Sequence, residues 1–419
     1  MTDNSSTAAE RSASQARMDA WLAKQRQVKS AFSPTAPISQ RDLFAGRTEQ
    51  MIALIDAVDE AGQHIVLFGE RGVGKTSLAA VTSNMLGGSA LSVRVNCQNG
   101  DTFSTVWKRA FQEISITSQV DSAGFGSNPR QTVQSILVAL DLPDELSPDH
   151  VRATLTLLAR DRAVVVFFDE FDRMQDGAVH GQFADAIKTL SDQGVRATIV
   201  IVGVADNVSD LVSEHASVER ALAQINMPRM SVGELSLIVT RGLETTEMTI
   251  DPSALSRITK LSQGLPHYTH LLAQQAALSA VSEGRDNVEP DDVRGAVVRA
   301  TERTQESIAS LYYSSTYSAR EKNIYKEVLL ACALAPADDR GFFAATAVRE
   351  TLSKLLNRKV EIPQFAGHLN AFAGDRGPVL RKFGAQRKFR YRFINPLLQP
   401  YVVMRGLEDE LIPASMLDE

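Results

Sequence analysis

The sequence predicts an α/β protein: a phosphate-binding core, a helical segment, and a C-terminal winged helix-turn-helix. Three observations predict it. The apolar run His64–Phe68 leads into Gly-Glu-Arg-Gly-Val-Gly-Lys-Thr over residues 69–76, and residues 77–86 can continue as a helix. Two further apolar runs, Val164–Phe168 and Ala197–Gly203, have the length and composition of buried parallel strands. Beyond residue 318, three helical patterns are followed by two short strands. The expected organisation is a flexible arm over 1–37, a core over 38–228, a helical lid over 229–300, a linker helix and winged module over 301–405, and a tail over 406–419.

With 419 residues the chain can bury more than one core, and 44% hydrophobic content is ordinary for a globular protein. Lys plus Arg total 44 against 50 Asp plus Glu, so the net charge of −6 carries no nucleic-acid signal. No apolar run approaches about 18 residues, which argues against a membrane span. The opening Met-Thr-Asp-Asn-Ser-Ser lacks a signal-peptide pattern. Cys97 and Cys332 are the only cysteines, which fits a cytoplasmic chain while leaving one disulfide open.

Residues 1–30 are rich in Ser, Ala, Gln and Arg, with a short helix expected near Met18–Val28 and a loose remainder. Ser33-Pro34-Thr35-Ala36-Pro37 marks a rigid approach to the core. Gly46 and Arg47 precede a helical pattern carrying Met51, Leu54, Ile55 and Val58, and can bring the chain past a nucleotide base or form an ordinary turn. In the phosphate-binding loop, Gly69, Gly72 and Gly74 let backbone N–H groups turn inward. The following helix start, with Ser77, adds unpaired N–H groups and its dipole. Lys75 is expected to reach the β- and γ-phosphates of ATP and Thr76 to hold Mg²⁺.

A strand is expected at Leu91–Val95, and residues 121–150 read as a variable surface insertion. Val164–Phe168 ends directly in Asp169-Glu170. Carboxyl ends of parallel strands are where ligands bind, so Asp169 is expected to support Mg²⁺ and Glu170 to orient the attacking water. After the third strand, Asp206 and Asn207 compete for contact with the γ-phosphate or its water, and either can instead cap a helix near Val208. Arg220 is a candidate arginine finger for a neighbouring subunit, or a surface ion-pair partner. Pro266 at a first helical turn places His267 as a phosphate sensor or as a satisfied core histidine.

In the C-terminal module, Ser318-Ala319-Arg320-Glu321 can cap a helix carrying Ile324, Val328, Leu329 and Ala331. Helices over 344–356 and 364–372 follow, then strands over 379–383 and 388–393. Arg376–Arg405 holds eight Lys or Arg and no Asp or Glu. Lys388, Arg390 and Arg392 alternate with Phe389, Tyr391 and Phe393, which sets basic groups on one face and aromatics on the other. Arg381, Lys382, Arg387, Lys388, Arg390 and Arg392 are the nucleic-acid candidates, with the helix near His368 and Asn370 entering a groove. The aromatics read as wing core, and a protein-binding or autoinhibitory role competes with DNA contact. Asn395–Pro400 closes the wing.

The ordered set Phe44-Ala45-Gly46-Arg47, Gly69–Thr76, Val166–Glu170, Gly203–Asn207 and Gly264-Leu265-Pro266-His267 resembles the AAA+ superfamily. Within it, the chain is similar to the origin-recognition-like and winged-helix signalling (STAND-like) ATPases, over residues 38–298 and more weakly to 405. The resemblance implies a three-layer α/β P-loop ATPase core, a helical lid, ATP held between them, and a site often shared between subunits. Many origin-type members place an arginine where this chain has His267; the Gly-Leu-Pro-His arrangement is closer to the signalling branch.

The expected function is a Mg²⁺-dependent ATP-hydrolysing switch, a homo-oligomer acting on double-stranded DNA. The competing expectation is a signalling or scaffold ATPase whose C-terminal module binds protein. A P-loop kinase is disfavoured by the paired Asp169 and Glu170, and no second ATPase core suggests a motor helicase.

Overall fold

A computed structural model describes residues 3–34, 45–120, 130–205, 208, 211, 216–318, 323–338, 340–385 and 388–412. The chain opens with α1 (Asp3–Ala31) and α2 (Thr48–Asp59), then β1 (His64–Gly69), α3 (Lys75–Leu86), β2 (Leu91–Asn96) and α4 (Phe103–Glu113). A hairpin, β3 (Ser115–Val120) and β4 (Arg130–Ser135), leads to α5 (Ile136–Ala139) and α6 (Pro148–Leu158). β5 (Val164–Asp169), α7 (Gly177–Asp192), β6 (Ala197–Val204), α8 (Ala216–Glu219) and β7 (Leu222–Asn226) complete the core.

The five core strands form one parallel sheet in the order β2-β5-β6-β1-β7. Successive side chains of a strand face opposite ways, and here both ways lead inward. Ile65, Leu67, Val165, Phe167, Val200 and Val202 enter one core; Val66, Val164, Val166, Phe168, Ile199 and Ile201 enter the other. Two-sided burial is why these strands are continuous apolar runs rather than alternating ones. The second core is aromatic: Trp107 and Phe183 both meet Phe168 edge-on, at 4.9 Å between ring centroids. The register levels Gly69 with Val204 across neighbouring strands.

A helical module follows: α9 (Val232–Glu244), α10 (Pro252–Leu261), α11 (Pro266–Ser282) and α12 (Pro290–Glu302), with a two-stranded pair of β8 (Thr249–Ile250) and β9 (Asn287–Val288). Next come α13 (Glu306–Thr316), α14 (Tyr325–Leu334), β10 (Phe343–Ala344), α15 (Ala345–Leu355), α16 (Ile362–Phe372), β11 (Leu380–Phe383), β12 (Arg390–Phe393) and α17 (Leu398–Glu408). The last three-stranded sheet runs β10-β12-β11 and is antiparallel.

Several expectations change. The N-terminal segment is helical from Asp3 to Ala31, longer than the stretch near 18–28. Its Ala, Gln, Lys and Arg residues favour helix without giving it a core-facing stripe. Val28, Ala31 and Phe32 are buried, and α1 packs against α9 and α11, so this end is docked rather than loose. Within the expected 121–150 insertion, β4, α5 and the start of α6 are ordered elements, while residues 121–129 lie outside the described set. β10, at two residues, is too short to register as a pattern. A helix not expected at the end of the wing, α17, runs through Pro400 and past the expected start of the tail at residue 406 to Glu408, because Pro400 sits in its first turn, where a proline removes no helical hydrogen bond. Its Tyr401, Val402, Val403 and Met404 are buried. The expected cap over 318–321 falls largely outside the described residues, and α14 starts at Tyr325 with no side-chain cap bond.

Cys97 and Cys332 are both buried free thiols. Burial raises both pKa values, that of Cys97 to about 12. Among the described residues no helix is long and apolar enough to cross a membrane.

The docking of α1 depends on one close approach. A Cβ on Gly242, in α9, would lie 2.4 Å from the Phe32 ring. Gly242→Ala should therefore destabilise the protein, because about 1–3 kcal/mol of overpacking outweighs about 1 kcal/mol of helix propensity. In a Phe32→Ala background the same substitution should stabilise. Denaturant titration of the single and double variants checks this reversal of sign.

Candidate functional site

The carboxyl ends of β1, β5 and β6 open onto a cavity of about 390 Å³, closed on the far side by α9 and α11. The loop after β1 forms its floor. Gly74 takes φ +97 at the start of α3, a left-handed conformation that glycine adopts without strain. Gly69 runs so close to Met227 that a Cβ would fall 2.5 Å from its carbonyl oxygen. Gly72, Lys75, Thr76 and Ser77 all line the cavity.

Lys75 is only 8% exposed, and its Nζ donates to the carbonyls of Gly69 (2.9 Å) and Glu70 (2.7 Å). Burial pushes its pKa down to about 8, against the opposing pull of Asp172, Asp169 and Glu70. Thr76 Oγ1 donates to Asp169 Oδ1 across 3.3 Å. Asp169 is 2% exposed and its Oδ2 has no partner among the described residues. Burial raises its pKa, opposed by the hydrogen bonds from the Glu170 N–H and from Thr76. Glu170 follows at φ 55, in a short 3-10 turn, with its half-exposed carboxylate 3.1 Å from Arg173 Nε.

Arg47 sits at φ 61 before α2 and is buried. Its guanidinium donates to the carbonyls of Val73 and Pro228, and its backbone N–H donates to Glu234 Oε1 at 3.1 Å. Burial lowers its pKa, opposed by the Glu234 charge. Glu234 and Ser231 form a capping box at the start of α9, so Arg47 ties the loop to the first helix of the helical module. On α11, His267 Nδ1 lies 2.7 Å from the Pro34 carbonyl. Burial lowers the pKa of His267, so the neutral ring donates through Nδ1–H.

The other predicted residues distribute unevenly. Asp206 and Asn207 lie outside the described residues; Gly203 and Val204, just before them, line the cavity. Arg220 is exposed and precedes the amino end of β7, at the end of the strands opposite the glycine loop. Arg381 and Arg392 line a second cavity of about 420 Å³, together with Glu70 and Arg71 of the glycine loop. Lys388 is exposed, while Lys382 donates to Asn370 Oδ1 (3.0 Å) and stands over the Phe389 ring. The basic strand has an acidic neighbour from outside its own stretch: Asp338 lies 3.0 Å from Arg390. Arg387 lies outside the described residues. Tyr391 and Phe393 are buried.

Sequence reasoning missed two features. Glu70, inside the glycine loop, accepts from Arg229 Nε at 2.8 Å in a largely buried ion pair. Arg229 Nη1 donates onward to Gln399 Oε1 of α17 (2.7 Å) and to the Gln263 carbonyl (3.2 Å). The variable positions of a glycine loop carry no pattern that announces such a partner. The second is His270, one turn beyond His267, which lines the first cavity.

Residues 43–202 match the family model of the AAA ATPase domain. No curated protein matches the sequence. Among solved structures, the chain is similar to the Aeropyrum pernix ORC2 protein in ADPNP and ADP complexes, at 15% identity and a TM-score of 0.48, covering 89% of this chain and 100% of that one. It is similar to a Walker-type ATPase of Pyrococcus abyssi at 15% identity and 0.49, covering 88% and 98%. The Thermotoga maritima RuvB Holliday junction branch migration motor is 17% identical at 0.44, covering 85% and 95%.

The buried ion pair makes a quantitative expectation. Glu70→Ala leaves the Arg229 guanidinium without its carboxylate and should cost about 3 kcal/mol of stability. Glu70→Ala with Arg229→Leu should recover most of that loss, as read by denaturant unfolding.

Proposed function

We propose, from the premise that residues 43–202 are an AAA ATPase domain that binds and hydrolyses ATP, that this chain is a nucleotide-driven switch acting on DNA through a C-terminal winged helix-turn-helix. One observation carries the coupling. The phosphate loop is bonded to the C-terminal module through Glu70, Arg229 and Gln399, and Leu397 lies where a Cβ on Gly72 would stand 3.0 Å away. A loop that rearranges around phosphates therefore pulls on α17 directly.

In this reading Lys75 turns from the Gly69 and Glu70 carbonyls to the β- and γ-phosphates. Thr76 and Asp169 are hard oxygen donors suited to Mg²⁺, and the unpartnered Asp169 Oδ2 fits that role. The metal, once bound, neutralises phosphate charge. Glu170 leaves Arg173 to orient a water and take its proton as the water oxygen attacks the γ-phosphorus. The bond to the β–γ bridging oxygen breaks, leaving ADP and inorganic phosphate. Asp206 or Asn207 would contact the γ-phosphate or its water. Arg220, at the opposite end of the strands, would serve a neighbouring copy's site, which requires a homo-oligomer. Arg47 and His267 hold the loop and the N-terminal segment against the helical lid, so closure of core on lid moves both.

α14, α15, α16 and the sheet β10-β12-β11 supply the parts of a winged helix-turn-helix, with Arg381, Lys382, Arg387, Lys388, Arg390 and Arg392 as its phosphate contacts. A second reading is favoured by the placement of Arg381 and Arg392 beside the phosphate loop: the module is an internal or protein-binding regulator. Duplex titration separates them. Arg390→Ala with Lys388→Ala should weaken duplex binding and lower the slope of log affinity against log salt by about 1–2. An unchanged slope sinks the DNA reading.

Glu170→Gln should retain ATP binding and lose turnover by at least about 100-fold, measured as released phosphate. The Lys75 pKa gives a pH dependence with a definite sign. Phosphates favour the charged ammonium and raise its pKa above the free value of about 8. Above about pH 8 the free site holds fewer protons than the bound site. ATP affinity should therefore fall as pH rises past about 8, with proton uptake on binding, both readable by calorimetry in buffers of different ionisation heat.

A further inference from the structure

Asp172 stands two residues beyond Glu170 and lines the same cavity. Its Oδ1 accepts the backbone N–H of Val204, the last residue of β6, at 2.8 Å. This bond lies where the sheet itself has run out. Pairing of β5 with β6 ends at Phe168 and Ile201, and Asp172 connects the two strand ends beyond that pair. The carboxylate lies close against β6: a Cβ on Gly203 would stand 3.2 Å from the same oxygen.

The segment that Asp172 holds is the 3-10 turn Phe171–Arg173, which Glu170 enters at φ 55. A non-glycine residue in that left-handed region is strained, and it persists where its surroundings fix it from several sides. Phe171 supplies one anchor. It is fully buried, stacked on His180 at 5.3 Å and edge-on to Phe183 at 4.9 Å. The Glu170 N–H, bonded to Asp169 Oδ1 at 2.9 Å, supplies a second. Asp172 supplies the third, through β6. The Glu170 carboxylate is half-exposed against Arg173, so its aim depends on how the turn beneath it is held.

We infer that Asp172 is a positioning residue for hydrolysis: by accepting the Val204 N–H it holds the turn that aims the Glu170 carboxylate at the attacking water. The inference rests on the reading of Glu170 as the water-orienting base and goes beyond it in naming what fixes that base. Losing the bond should slow the chemical step without loosening ATP. A competing role runs through charge. Burial lowers the Lys75 pKa, and Asp172 opposes that shift more than Asp169 or Glu70 does, so its charge is also felt at the glycine loop.

Phosphate release by the full chain, measured over a range of ATP concentrations, separates bond from charge. Asp172→Ala should lower kcat about tenfold and leave KM for ATP within about twofold. Asp172→Asn keeps the acceptor and removes the charge, and should recover most of the rate. Asp172→Glu keeps the charge but displaces the acceptor by one methylene, and should stay slow. In a Glu170→Gln background, Asp172→Ala should change the residual turnover by less than about twofold, because the group it positions is already disabled. A fast Asp172→Glu beside a slow Asp172→Asn overturns the inference in favour of charge, and this pair decides even where the alanine variant does not fold. A KM that rises as kcat falls also overturns it, as does a full tenfold loss in the Glu170→Gln background. Normal turnover by Asp172→Ala beside a slow Glu170→Gln sinks the inference alone. Normal turnover by Glu170→Gln sinks the reading of Glu170 and the inference with it.

Discussion

Burying both faces of a parallel sheet leaves only its edges and its strand ends for chemistry. In this chain the two apolar cores on either side of β1, β5 and β6 take up nearly every side chain of those strands except the last ones. Polar groups are expelled to the carboxyl ends, where Gly69, Asp169 and Gly203 leave the sheet next to one another. Everything else in the site is arranged around that forced convergence. Lys75 is buried there because the glycine loop folds over it, and its ammonium is held by two backbone carbonyls rather than by a carboxylate. That arrangement costs little to undo, since a phosphate offers better acceptors than a carbonyl.

The same loop is the point at which the three parts of the molecule meet. Arg47 reaches it from the N-terminal side and carries its own backbone bond to the helical module. Arg229, just past the core, pairs with Glu70 and passes further hydrogen bonds to Gln263 and Gln399. Tyr268 of α11 donates its hydroxyl to the Leu397 carbonyl at 2.8 Å. These are directional, buried contacts, which hold one relative placement of modules better than apolar packing alone does. A change of loop conformation has no slack to dissipate into.

The strands and the glycine loop were legible because their signals are local: an uninterrupted apolar run, glycines at fixed offsets, acids at a strand end. The helices α14, α15 and α16 and the basic–aromatic alternation of β12 were legible for the same reason. What escaped notice depends on partners distant in sequence. Phe32 is buried where Gly242, far along the chain, leaves room for its ring, and Pro34 lines the cavity where His267 donates to its carbonyl. α17 was hidden by Pro400, whose effect depends on which turn it occupies. That Asp169, Glu170 and Lys75 gather at one cavity was legible from residue type and position, whereas nothing in the sequence around His270 marks the cavity that it lines.

The two cysteines carry a practical consequence. Both thiols are sealed in the interior and hold their protons well above neutral pH, so neither presents a thiolate to reagent. The native chain should therefore label slowly with maleimide. A single cysteine placed on the exposed face of α1, or at the exposed turn holding Arg220, would be the sole reactive thiol on the surface. Spectroscopic distance rulers could then be attached without first stripping the natural cysteines from two packed cores.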